Sequence, residues 1–104
     1  MKLKNAKQVL KAVAQVYTDH PDRFVALRLA CDVDNNPVRW KDHNAYKFCA
    51  MGLLFRIRDE GACTARAMDR AAAAMGGNGN IVHVNNEEGR EAIIALATRS
   101  AARL

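Results

Sequence analysis

Between residues 43 and 61 the chain reads HNAYKFCAMGLLFRIRDEG, and no other stretch restricts the fold so strongly. Placed on a helix, Tyr46, Cys49, Leu53 and Ile57 share one side, while Phe48, Gly52 and Phe55 share another. Charges return only at Arg56, Arg58, Asp59 and Glu60, and Gly61 supplies a natural C-terminal stop. A helix apolar over so wide an arc is buried against more than one neighbour. The spacing therefore predicts a central helix over about 43–60, capped by Asp42 or Asn44. Within it Gly52 costs about 1 kcal/mol relative to alanine. Close approach of another backbone, or of Trp40, is expected to offset that cost.

The flanking segments arrange themselves around this axis. From Asn5 to Tyr17 the apolar residues Ala6, Val9, Leu10, Val13, Val16 and Tyr17 recur at helical spacing, and Pro21 ends the element. Residues 24–40 change character. Branched and aromatic residues surround an Asp34-Asn35-Asn36-Pro37 cluster, which predicts a β-hairpin pairing about 24–32 with 37–40. A helix over 22–31 is the competing reading. Thr64 caps an alanine-rich helix over 65–75, and Gly76-Gly77-Asn78-Gly79-Asn80 forms a loop. Ile81-Val82-His83-Val84 reads as a short strand-like link. The last helix spans 87–101, capped by Asn85 or Asn86 and aided by Glu87 and Glu88 near its positive end. The expected fold is thus α+β and mainly helical: four helices and a small β-hairpin around a buried central helix, in one domain over 1–104.

Length and cysteine usage narrow the class. A chain of 104 residues buries roughly two thirds of its unfolded surface and needs neither metal nor disulfide to stand alone. Cys31, Cys49 and Cys63 are odd in number and widely spaced, unlike a disulfide framework or a C-x-x-C clamp. No apolar run approaches the ~18 residues of a membrane span, and the N-terminus lacks the apolar segment of a signal peptide. A cytoplasmic protein with reduced thiols is expected. His20, His43 and His83 do not stand at ligand spacing with each other or with the cysteines, so neither a metal nor a cofactor is expected.

The same residues offer three kinds of chemistry. Cys49, His83 and Asn85 or Asn86 follow the chain order of papain-like enzymes, in which a thiolate attacks, an imidazole moves protons and an amide orients the ring. A cysteine of that kind sits at a helix N-terminus. Cys49 instead falls more than a turn inside the expected helix, which favours a small buried hydrophobe.

The net charge is +5, and Lys2, Lys4, Lys7 and Lys11 precede the first acid, Asp19. Lys4, Lys7 and Lys11 share the polar side of the first helix, a patch suited to nucleic acid or to an acidic protein face. Helices two and three, joined by Glu60-Gly61-Ala62-Cys63, also allow a helix-turn-helix reading with Arg66 and Arg70 on the second member. Arg39, Trp40, Lys41 and Tyr46 cluster near the hairpin end, and Trp, Tyr and Arg are the types that carry interface energy.

Taken along its length, the chain resembles a family of small bacterial and phage domains of unknown function. The resemblance rests on Phe48-Cys49-Ala50-Met51-Gly52-Leu53-Leu54, the alanine-rich helix after it, and Val84-Asn85-Asn86 before the last helix. Asn85-Asn86 stands where the family often carries Asn-Asp. The resemblance implies a helical α+β domain of bacterial or phage origin and carries no activity with it. The expected function is a non-enzymatic interaction or regulatory module, for example a phage or mobile-element accessory protein that binds a host protein. Nucleic-acid binding through the basic helical face is the first alternative and a Cys–His hydrolase the second. The alanine-rich helix also offers a homodimer seam.

Overall fold

The first helix forms where its periodicity places it. In a computed structural model that describes residues 2–104, α1 spans Ala6–Asp19. Asn5 caps it, its side-chain oxygen accepting from the Gln8 N–H at 2.9 Å. Val9, Leu10, Val13 and Tyr17 are fully buried along one face, and α1 packs most extensively against the last helix. A short 3₁₀ turn at Pro21–Arg23 follows, begun by the proline that cannot continue the helix.

The expected hairpin is only partly formed. The Asp34–Pro37 turn is real: the Asp32 N–H donates to the Asn36 carbonyl, and Cys31 bridges Pro37. Pro37 has no N–H, however, and cannot extend a ladder. β1 (Ala30–Cys31) instead pairs antiparallel with β2 (Lys47–Phe48), in the register Ala30 to Phe48 and Cys31 to Lys47. Neither a strand over 24–29 nor the competing helix over 22–31 is present.

That pairing shortens the central helix. Residues 43–49 stay outside it, because Tyr46, Lys47 and Phe48 are held by β1 and the residues just before it: the Tyr46 N–H donates to the Cys31 carbonyl and the Cys49 N–H to the Leu29 carbonyl. α2 is therefore Ala50–Asp59, and its N-cap is Cys49, not Asp42 or Asn44. The burial expected of it holds, with Met51, Leu53, Leu54 and Ile57 all in the core. The Gly52 expectation resolves to backbone. A Cβ at this position would lie 2.0 Å from the Leu29 carbonyl oxygen, so the helix and the 25–29 segment approach as only glycine allows.

α3 (Ala65–Ala74) is capped by Thr64, whose hydroxyl accepts from the Ala67 N–H. Gly76 and Gly77, both at positive φ, reverse the chain into a fifth helix that replaces the expected strand-like link: α4 (Asn78–His83), running on into a π-helical turn, Val84–Glu88. Burial there follows helical spacing, with Ile81 and Asn85 inside and Val82 and His83 exposed. The last helix, α5 (Arg90–Ala102), starts after Gly89 at φ 92°, so Asn85, Asn86, Glu87 and Glu88 precede it in the π turn and do not cap it. One hydrophobic core joins all five helices, and the radius of gyration is 12.3 Å, close to the ~13 Å of a compact chain of this length. No helix is long and apolar enough to cross a membrane among the described residues.

Candidate functional site

Four local features meet over the N-terminus of α2. The first is a strap, residues 25–29. It is tied to the 46–49 run at both ends, by the Val25 N–H to the Phe48 carbonyl and the Cys49 N–H to the Leu29 carbonyl, and it bulges outward between them. At the tip of the bulge Leu27 adopts φ 70°, a left-handed conformation rare for a branched side chain. The second is the π turn. Its wider coil sends two successive side chains, Asn85 and Asn86, toward the strap. Asn86 Oδ1 accepts from the Leu27 N–H at 2.8 Å, and Asn85 Nδ2 donates to the Val25 carbonyl at 3.1 Å.

The third feature is the start of α2. Asn85 is 1% exposed, and its Oδ1 accepts from the Ala50 N–H at 2.9 Å. Cys49 Sγ accepts from the Gly52 N–H at 3.3 Å. A thiol and an amide oxygen thus satisfy two of the N–H groups that a helix start leaves free. The fourth is an apolar rim. Leu27 is 78% exposed, Leu29 39% and Val82 44%, and they surround a cavity of about 180 Å³ with Cys49 and Met51 among its walls. Arg28 stands on the same rim and has no ion-pair partner among the described residues.

The expected cysteine chemistry finds part of its geometry here. Cys49 does sit at a helix N-terminus, which corrects its expected place inside the helix, and it shares the cleft with Asn85. His83 is outside: it is exposed on α4 and does not line the cavity. The amide of Asn85 is already engaged at both ends by Ala50, Val25 and Asn86. At 7% exposure the Cys49 thiol is pushed up by burial, only partly offset by the Gly52 and Met51 N–H groups. A thiol, not a thiolate, therefore lines the cleft at neutral pH. Cys31 and Cys63 are also free and buried. No three potential metal-ligating side chains cluster among the described residues.

The aromatic cluster is committed inside the molecule. Trp40 lies half-buried against Phe55, ring centroids 5.0 Å apart, and its indole N–H donates to Asp59. The Arg56 guanidinium donates to the Trp40 and Asp42 carbonyls, which fixes that loop on α2. Tyr46 faces a different element. Its hydroxyl donates to Asp22 at 2.6 Å, and Arg23 stacks over its ring at 4.9 Å. Arg39 and Lys41 remain exposed beside Trp40.

Lys7 and Lys11 are exposed on the face of α1 turned away from the core, and Lys4 is exposed just before its Asn5 cap. Lys7 lies where two grooves meet, one between α1 and α3 that includes Arg70, the other between α1 and α5 that includes Lys11 and Thr98.

Sequence reasoning singled out Cys49 and Asn85, which line this cleft, and the lysines, which lie elsewhere; it did not single out Leu27, Leu29, Met51, Val82 or Asn86's tie to the strap. The adjacent pair of asparagines was the one signal available. A left-handed leucine and a π turn leave no periodicity to read. The chain matches no protein-family model, no curated protein and no solved structure.

Proposed function

We propose that the chain is a small interaction module that docks a partner protein at the cleft over the start of α2. The observation that carries this is Leu27. Its left-handed backbone costs on the order of 1–2 kcal/mol, and a side chain left 78% in water recovers almost none of that by burial. Asn86 nevertheless holds it there. Backbone strain maintained by its surroundings at an exposed apolar rim is what a preorganised contact requires.

The cavity argues for the kind of partner. At about 180 Å³ it is smaller than the ~300–1,000 Å³ of small-molecule sites, and it suits one inserted apolar side chain. Arg28 on the rim favours a partner that carries a carboxylate beside that side chain. The resemblance implies a bacterial or phage origin, and for a phage-borne chain a bacterial host protein is the natural partner. Three free thiols suit a reducing cytoplasm.

Proteins captured from a bacterial lysate would be identified and titrated individually against the chain. Leu27→Glu and Val82→Glu alter exposed positions, so the thermal midpoint should hold while affinity drops about tenfold or more, as for loss of an interface anchor. A partner bound equally well by both variants removes the cleft from the interface.

A further inference from the structure

We infer that the seam formed by α1, α3 and α5 binds the phosphate backbone of duplex nucleic acid without reading its sequence. It lies on different residues from the cleft and stands or falls independently of the docking proposal. Lys7 is the pivot. One groove runs from it to Arg70, Asn5 and Ala74, the other to Lys11, Thr18 and Thr98. No Asp or Glu lines either groove. None of Lys7, Lys11 and Arg70 joins an ion pair among the described residues, where the ion pairs of the fold occupy Arg56, Arg58, Arg90 and His43. Arg66, four residues before Arg70 on α3, extends that cationic row by about one helical turn, and Lys4 is exposed just before the α1 cap. The expected recognition helix is thereby replaced: Arg70 works with the lysines of α1 across a groove, while Asp69 shares its exposed side.

The surroundings of these cations select the polyanion. Single strands are held by stacking on aromatic side chains, and no aromatic residue lines the seam. A membrane surface needs a protruding apolar face beside the cations. The two grooves are instead concave and lined mainly by alanine, with Ile94, a single exposed leucine, Leu104, and the neutral polar side chains Asn5, Gln15, Thr18 and Thr98. The Thr18 and Thr98 hydroxyls donate to the Ala14 and Ile94 carbonyls and the Gln15 amide to Asp19. Phosphate contacts therefore fall to Lys7, Lys11 and Arg70, and such contacts carry no sequence information.

The test is fluorescence anisotropy of a labelled 20-base-pair DNA duplex across a salt series. Three phosphate contacts predict log Kobs falling against log salt with a slope of about −3. The triple variant Lys7→Gln/Lys11→Gln/Arg70→Gln should flatten that slope and weaken low-salt binding at least about tenfold. A control, Arg39→Gln/Lys41→Gln, at exposed positions that line neither groove nor the cleft, should leave both unchanged. All five positions but no core residue are altered, and thermal midpoints verify that each variant is folded. Absence of low-salt binding, binding kept by the triple variant, equal loss in the control, tighter binding to a single strand, or preference for phosphatidylserine vesicles over the duplex would each overturn the inference.

Discussion

Gly52 shows how one atom decides the local design. Its Cβ position is occupied by the Leu29 carbonyl oxygen, and that same oxygen accepts the Cys49 N–H that ends the pairing before α2 begins. A methyl group would force backbone against backbone, since neither side can turn away as a flexible side chain would. Gly52→Ala is expected to cost about 3 kcal/mol, the upper end of the usual overpacking penalty, and to lower the thermal midpoint by more than ~10 °C. A variant that melts with the parent protein would show that the strap can lift from the helix freely. Cys49 belongs to the same constellation. Its thiol does the work that serine or asparagine does at most helix starts, as a weaker acceptor that also tolerates burial.

The strap and the π turn hold each other, and their bond chemistry separates two roles. Asn86 uses only its carbonyl oxygen, as an acceptor for Leu27 and Asn85. A carboxylate can do the same, so Asn86→Asp should fold as well as the parent. Asn86→Leu removes the acceptor and should speed amide hydrogen exchange at Leu27 by about tenfold, equivalent to one lost hydrogen bond, with α1 and α5 unaffected. Unchanged exchange in the strap would mean that Leu27 is held by something other than Asn86.

These elements also mark where reading the chain succeeded and where it stopped. α1, the Thr64 cap and the buried face of α2 were legible, because amphipathic spacing and capping act within one turn. The first residues of the central helix were not. Tyr46 and Phe48 each fit a side of a helix, but they also alternate with Lys47, and the pairing partner at 30–31 decides between the two periods from sixteen to eighteen residues away. The 81–84 run failed for a related reason: four residues are too few to distinguish alternation from a helical turn, and glycines at positive φ on both sides set the outcome.

At the scale of the whole molecule, hydrogen bonds to surface carboxyls tie folding to pH. Asp22 receives the Tyr46 hydroxyl, Asp32 the N–H groups of Asn36 and Asp34, and Asp59 the Trp40 indole, and each bond holds its carboxyl below the ordinary carboxylate value. A carboxyl lowered in the folded state stabilises it fully above the unfolded value of about 3.9. That contribution fades as the pH falls through the lower folded value. Urea midpoints should therefore decline as the pH falls below about 4. Asp32→Asn keeps an oxygen for the two N–H groups but cannot titrate, so its decline should be shallower than the parent's. An equal decline would place the acid sensitivity elsewhere. Of the wider chemistry, the basic face of α1 was visible in the spacing of its lysines. Its pairing with Arg70 was not, because packing of α1 on α3 is a property of the assembled core.

The outward bulge of residues 26–28 has a consequence for how such a surface could diversify. Val25 and Leu29 are each fastened to the same rigid run, so the path between them begins and ends at fixed points whatever side chains it carries. Three residues can then be exchanged as a cassette, changing what the chain grips while leaving the frame that displays it intact.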